Sequence, residues 1–199
     1  APGNHDFGNT DEGDYNEYRE RFIENYNKIT GRTIENPYYV TVIKGFFFIV
    51  LSSEAMAGTH QVFSEAQLYW LEHTLSQAEQ QAPGKPIFVF NHNPLRGTND
   101  VDTSWPSGGT PGAQSDEIMA ILQQHQNVFF ITGHLHDKLD EDRIMTIDNV
   151  HFVNTPCFHS NDDYGTGYVF EAYEDHVVIR ARNLLKSKWR DFEYTIDLV

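Results

Sequence analysis

The chain has 199 residues and a formal net charge of −15 at pH 7, with 29 acidic against 14 basic side chains. This excess of negative charge repels polyanions, so we expect no binding to long nucleic acid through its phosphates. The longest apolar run, residues 45–51, is far shorter than the roughly 20 residues that a membrane-spanning helix needs, so we expect no membrane span. A single cysteine, Cys157, excludes an intramolecular disulfide and a multi-thiolate zinc site.

The first half of the chain has the pattern of helices alternating with strands. Apolar and aromatic residues spaced three or four apart predict an amphipathic helix over residues 15–29 that covers a sheet. Two β-rich runs, residues 39–43 and 46–51, predict a hairpin whose second strand is central in the sheet. Ser64, with Gln67 three residues later, has the pattern of a capping box and predicts the start of a second helix.

The second half begins with the same alternation and then changes. A short strand over residues 87–90 precedes a loop, a helix over residues 115–125 and a buried strand over residues 128–132. Beyond residue 136, five β-like runs follow one another without helices, at residues 143–147, 150–154, 167–173, 177–181 and 189–196. We therefore predict an α/β sandwich, formed by one domain over residues 1–199, with an antiparallel layer at the C-terminus.

Histidines stand directly after two of the predicted buried strands. His92 follows the strand at residues 87–90, and His134 and His136 follow the strand at residues 128–132. In open α/β sheets, ligands bind beyond the carboxyl ends of the strands, so these imidazoles are expected to meet at one rim of the sheet. A lone H-x-H pair is more often a pair of ordinary surface or core histidines, so the rest of the chain has to supply partners.

A further cluster of polar side chains stands near the start of the chain, in the stretch Gly3-Asn4-His5-Asp6. It offers an amide oxygen, an imidazole and a carboxylate, behind a glycine that permits a tight turn. If a strand preceded this stretch, these groups would lie on the same rim as the later histidines.

Together these stretches resemble the calcineurin-like metallophosphoesterase superfamily, whose pattern includes G-N-H-D, a later single histidine and a closing G-H-x-H. All three motifs occur here in the family's order, at residues 3–6, at His92 and at residues 133–136. The resemblance covers about residues 3–137. It implies a metallophosphoesterase-type α-β-β-α sandwich with an antiparallel C-terminal layer.

The resemblance implies that Asn4, His92 and His134 bind one metal ion and that His136 binds a second. The expected cofactors are two divalent or trivalent transition metal ions, Mn, Fe, Zn or Ni, because imidazole and amide oxygen suit such cations. A pair of these ions can generate a hydroxide and hold the oxygens of a phosphate.

Four further residues are assigned to catalysis or to substrate binding. The resemblance implies that His5 assists the leaving group or stabilises the transition state, and that Asp6 holds His5. Arg96, just beyond the single histidine, could make a bidentate contact to a phosphate, although a solvated loop arginine is the ordinary alternative. His159 lies in a polar loop that could reach the rim, with an ordinary surface loop as its alternative.

The chain departs from the family pattern at its beginning. A D-x-H and a G-D-x-x-D motif precede G-N-H-D in the family and supply the remaining ligands and the carboxylate that bridges both metals. Only Ala1 and Pro2 precede Gly3 here. We therefore expect an N-terminally truncated portion of a longer enzyme, binding one metal ion or none by itself, with an unpaired strand edge and apolar surface that favour association with another chain.

The leading functional prediction is hydrolysis of a phosphomonoester or phosphodiester by metal-bound hydroxide, on a small phosphorylated substrate such as a nucleotide. One alternative is a catalytically inert fragment or binding module of the same fold, because the bridging carboxylate is absent. A second alternative is a mononuclear hydrolase that uses only Asn4, His92 and His134 together with water.

Overall fold

The computed structural model of the chain describes residues 1–6, 15–57, 60–104, 109–159 and 164–199. The helices described are α1 (Tyr15–Thr30), α2 (Glu65–Gln81), α3 (Val101–Ser104) and α4 (Gln114–Leu122). The strands are β1 (Tyr39–Ile43), β2 (Phe46–Val50), β3 (Ala55–Ala57), β4 (His60–Val62), β5 (Ile87–Phe90), β6 (Val128–Thr132), β7 (Ile144–Ile147), β8 (Val150–Asn154), β9 (Thr166–Ala172), β10 (His176–Asn183) and β11 (Lys188–Asp197). Within the described ranges, no helix is both long and apolar enough to cross a membrane.

Six of the strands form a mixed sheet in the order β1-β2-β5-β6-β8-β7. Its four inner strands run parallel, and β1 and β7 pair antiparallel at the two edges. Strands β11-β10-β9 form a separate antiparallel sheet, and β3 and β4 form a short hairpin. This arrangement confirms the predicted α/β class.

The core has one layer on each face of the six-stranded sheet. On one face, α2 and α4 bury a cluster that contains Leu71, Leu122 and Phe130. On the other face, the three-stranded sheet packs through Val177 and Ile179 against the mixed sheet. Each layer removes apolar side chains from water, which is the main force holding helices and strands against this sheet.

Local sequence signals account for the turn and the helix start that were predicted. Lys44 and Gly45 have φ values of 52° and 79°, the pair of left-handed residues that a two-residue hairpin turn requires. The Ser64 hydroxyl accepts a hydrogen bond from the Gln67 N–H at 3.1 Å, as an N-cap should. The Gln67 side chain does not return to Ser64 but hydrogen-bonds the backbone of Ser52, so only half of the predicted capping box forms.

Helix α1 does not bury an apolar face, contrary to the prediction that it covers a sheet. None of its residues is buried, and Ile29 at its end is 81% exposed. Its contact with the sheet includes the ring of Tyr26, which lies 4.7 Å from the ring of Tyr39 on edge strand β1. The spacing of apolar residues predicted the helix correctly, but it could not show how deeply the helix packs.

The predicted antiparallel C-terminal layer is smaller than expected. Strands β7 and β8 belong to the six-stranded sheet, where β8 pairs parallel with β6. All five residues of β8, Val150–Asn154, are buried, as is usual for a strand covered on both faces. The sequence of β8 does not alternate polar and apolar residues. It therefore does not show which of the two sheets the strand joins.

Burial of His151 on β8 generates a prediction about stability and pH. Its ring lies 4.7 Å from that of Phe129, and burial lowers the pKa of His151 from its ordinary 6.5. Protons therefore bind the unfolded chain more tightly, and the free energy of unfolding should fall as the pH drops below about 6.5.

We predict that His151→Phe makes this fall shallower between pH 7.5 and pH 5, as measured by urea unfolding at several pH values in the presence of a chelator. The same substitution at exposed His73 is the matched control. Parallel stability curves for His151→Phe and the unsubstituted chain would contradict the account.

Candidate functional site

The parallel pairing of β5 with β6 places His92 beside His134. The pairing continues past both strands, because the N–H of Asn91 donates to the carbonyl of Ile131 and that of Gly133 donates to the carbonyl of His92. The two imidazole rings lie 5.0 Å apart at 74°, and His134 Nδ1 is 3.1 Å from His92 Nε2. The structure thus brings together the two histidines that were predicted from strand ends.

Asn4 from the start of the chain reaches the same point. Its Oδ1 atom lies 2.9 Å from Nε2 of His92, across 88 residues of sequence. Pro2 and Gly3, which precede it, are buried against the rim. Asn4, His92 and His134 therefore lie together, and we call these three residues the donor cluster.

Gly3 is required here for space. A Cβ atom at this position would lie 2.8 to 3.0 Å from ring atoms of His92, closer than real Cβ contacts. The residue does precede a turn, in which the N–H of Asp6 donates to the carbonyl of Gly3. The sequence predicted the turn, but the close approach to the imidazole could not be seen without the fold.

The turn that carries the two later histidines has an unusual backbone. His134 and His136 have φ values of 70° and 55°, in the left-handed region that residues other than glycine rarely adopt. Leu135 between them is 7% exposed, and its N–H donates to the carbonyl of Gly133. Left-handed residues of this kind tend to occur at functional sites, where the surrounding fold holds them in place.

Buried amide side chains form hydrogen bonds at the ends of β5 and β6. Asn154, at the end of β8, donates from Nδ2 to the hydroxyl of Thr132 at 3.1 Å and to the carbonyl of Gly133. Asn91 donates from its side chain to Oε1 of Gln61 at 2.8 Å. Sequence reasoning missed these residues, because their roles depend on β8 lying next to β6 and on β4 lying near the end of β5.

Burial and the charges of neighbouring groups keep the paired imidazoles neutral. Burial is the main cause that lowers the pKa of His92 to about 4, and the neighbouring His134 lowers it further. The pKa of His134 is also lowered to about 4, first by burial and then by the charges of His136 and His5. Both rings are therefore uncharged at neutral pH, which is the form that binds metal ions.

Two separations within the donor cluster are compatible with ligands of a single transition metal ion. Two donors about 2.1 Å from one ion lie roughly 3.0 Å apart at a right angle and roughly 3.4 Å apart in a tetrahedron. The separations of 2.9 and 3.1 Å within the donor cluster are of this size. In the part of the chain that the structure describes, no group of three His, Cys, Asp or Glu side chains could hold a metal ion. An ion bound by His92 and His134 would therefore also need the oxygen of Asn4.

His136, His5 and Asp6 lie at the periphery of the donor cluster. His136 and His5 are exposed, and their charges act on the pKa of His134. Asp6 does not hold His5 in this structure. Its Oδ2 atom instead accepts a hydrogen bond from the N–H of Gly3 at 2.7 Å, which closes the turn that carries Asn4.

The structure does not bring Arg96 and His159, the two predicted substrate contacts, to the donor cluster. Arg96 forms an ion pair with Asp116 on α4, because the chain turns towards that helix after His92. A contact of Arg96 with phosphate would have to break this pair. His159 is exposed, and its ring lies 5.2 Å from the ring of Tyr164.

Comparison with known proteins is consistent with this geometry. A family model described as calcineurin-like phosphoesterase matches residues 1–138. The search of curated proteins found no match. The matched segment contains all three residues of the donor cluster.

The close approach of Gly3 to His92 predicts a substitution that weakens metal binding without removing any donor atom. Gly3→Ala should displace the His92 ring and lower the affinity for Mn²⁺ or Zn²⁺ at least about tenfold, as second-sphere changes typically do. Competition with a chelating dye measures this affinity.

Gly133→Ala is the matched control, because a Cβ there would meet only the Thr155 hydroxyl at 3.7 Å, an ordinary contact. Equal affinities for Gly3→Ala and Gly133→Ala would show that the close approach does not position His92.

Proposed function

We propose that the rim of this chain binds a metal ion that takes part in the hydrolysis of a small phosphoric ester. The chain belongs to the calcineurin-like phosphoesterase family, whose general role is metal-dependent hydrolysis of phosphoric esters. The observation that carries this proposal is the meeting of Asn4, His92 and His134 at hydrogen-bond distance. These residues come from three distant parts of the chain, and packing alone gives little reason to bury two imidazoles side by side.

In this proposal, the donor cluster holds one cation through an amide oxygen and two neutral imidazoles. His136 belongs to a second metal ion, as the family pattern implies, and it is exposed at the same rim. A bound cation would supply Lewis acidity and positive charge at a phosphate. The preferred metals are Mn, Fe, Zn or Ni, from the chemistry of the donors.

His5 is the residue of this chain that we assign to proton transfer or charge stabilisation at the leaving group. It is exposed, follows Asn4 directly and lies near enough for its charge to act on the pKa of His134. Asp6 supports this role indirectly, because its bond to the Gly3 N–H fixes the turn from which His5 projects.

The substrate that we propose is a small phosphomonoester or phosphodiester, such as a nucleotide. A net charge of −15 opposes a long polyanion, whereas a small phosphate can be drawn in by cations bound locally at the rim. Turnover of p-nitrophenyl phosphate, bis-p-nitrophenyl phosphate and single-stranded DNA with Mn²⁺ or Ni²⁺ tests this choice. Hydrolysis of the DNA in preference to both small esters would contradict it.

Mononuclear chemistry is the second candidate, because Asn4 and His134 both lie beside His92 and offer ligands for one ion, while His136 is exposed. Metal analysis of the purified protein after dialysis separates the two candidates. One ion per chain with retained turnover favours the mononuclear site, and two ions favour the dinuclear site. Metal binding without turnover of any ester would favour the inert binding module.

Substitutions should distinguish the catalytic role of His5 from the metal-binding role of His92. We predict that His5→Ala lowers turnover of bis-p-nitrophenyl phosphate about 10²- to 10⁴-fold while the metal content stays unchanged, because general acid catalysis contributes on this scale. His92→Ala should lose the metal and the turnover together.

His73→Ala, which removes an exposed histidine of α2, is the matched control and should change neither quantity. Loss of metal to the same extent in His5→Ala and His92→Ala would refute this division.

A further inference from the structure

The two left-handed histidines lie in a short turn that is held at both of its ends. We call residues 133–137 the histidine turn. Glycine adopts positive φ values without a steric cost, whereas His134 and His136, at 70° and 55°, do not. Contacts from elsewhere in the fold must therefore keep the turn in this conformation.

Asn154 holds the start of the histidine turn. Its Nδ2 atom donates to the carbonyl of Gly133 and, at 3.1 Å, to the hydroxyl of Thr132. The N–H of Thr155 donates to the carbonyl of Thr132 at 2.7 Å, so the pairing of β8 with β6 continues up to the turn. Asn154 is 1% exposed, so residues of this chain already enclose these bonds.

Arg143 holds the end of the histidine turn. Its Nε atom lies 3.0 Å from the carboxylate of Asp137, the residue that directly follows His136. The carbonyl of Asp137 accepts a hydrogen bond from the N–H of Cys157 at 2.8 Å, so the backbone is held there as well. The Arg143 side chain is only 15% exposed, and shielding from water strengthens the attraction between the two charges.

Arg143 also joins the histidine turn to the loop that follows His92. Its Nη1 atom donates to the carbonyl of Asn99 at 2.9 Å and lies 3.2 Å from the carboxylate of Asp100. In return, the side chain of Asn99 donates to the carbonyl of Arg143 at 2.9 Å. Asn99 is fully buried, so this reciprocal pair fixes one point of the loop. One arginine thus connects the two segments that carry the paired imidazoles.

We propose that Asn154 and Arg143 are positioning residues, which hold the two ends of the histidine turn and thereby fix the ring of His134 against that of His92. Both act through the backbone and the neighbouring Asp137, not as ligands. If the ends of the turn were free to move, the two imidazoles would separate and a cation bound by both would be held less tightly. The effect on metal binding rests on the proposed function, whereas the effect on the distance between the rings does not require a metal ion.

The alternative is that Asn154 and Arg143 only stabilise the fold, as buried polar groups commonly do. Two residues away from the histidine turn serve as matched controls. Asn127, before the opposite end of β6, is also buried and donates from its side chain to two carbonyls. Arg180, on the outer face of β10, also pairs with two carboxylates. Asn127→Ala and Arg180→Gln therefore match the loss of polar contacts without altering the turn.

The first measurement is the nuclear Overhauser effect between ring protons of His92 and His134 in the metal-free chain. The ring centres lie 5.0 Å apart, so a cross-peak is expected. Asn154→Ala and Arg143→Gln should each abolish this cross-peak, and the two controls should retain it. Asn154→Ser, which keeps a hydroxyl donor but is too short to reach both partners, takes the place of the alanine variant if that variant does not fold.

The second measurement is the affinity for Mn²⁺ or Zn²⁺, by competition with a chelating dye. Loss of either positioning residue should lower this affinity at least about tenfold, as changes around metal ligands typically do. The two controls should keep their affinity, even where urea unfolding shows that they lose as much stability.

An unchanged cross-peak in either variant would overturn the proposal for that residue, whatever the metal affinity. Loss of the cross-peak with unchanged affinity would also overturn it, as would an equal loss of the cross-peak in the controls. A chain that binds no metal ion but loses the cross-peak in both variants would refute the proposed function and support the positioning of the imidazoles.

Discussion

The parallel register between β5 and β6 is the constraint on which the candidate site depends. Phe90 lies opposite Ile131, and the hydrogen bond from Gly133 to His92 continues that register to the rim. All five residues of β6 are buried, so a slip of one residue would turn its side chains towards the wrong faces of the sheet. The apolar core therefore fixes how close the two imidazoles come.

Burial then determines the chemistry of that pair. Two imidazoles side by side, shielded from water, are neutral at neutral pH, and a neutral imidazole has a lone pair to donate. Asn4 adds an oxygen without adding negative charge. In a chain of net charge −15, a cation held by these three uncharged donors would give the rim a local positive charge that could attract a phosphate.

Much of the site could be predicted from the sequence, because the order of the motifs and their positions at strand ends are local signals. Asn4, His92 and His134 meet as those signals indicated. The pairing of Asp6 with Gly3 and of Arg96 with Asp116 could not be predicted, because these contacts depend on the position of a turn or a helix in the folded chain.

The fold shows the same division between local and long-range information. The hairpin at Lys44 and the start of α2 at Ser64 follow from turn and cap residues. The placement of β8 beside β6 and the shallow packing of α1 depend on partners far away in sequence. The expected association with another chain remains a prediction.

Anomalous diffraction from crystals grown with MnCl₂ tests the central claim most directly, because it locates the metal without reference to activity. We predict a peak within coordinating distance of Asn4 Oδ1, His92 Nε2 and His134 Nδ1. A peak at any other place, or no peak at the donor cluster at a saturating concentration of Mn²⁺, would contradict the claim that these three residues bind a metal ion.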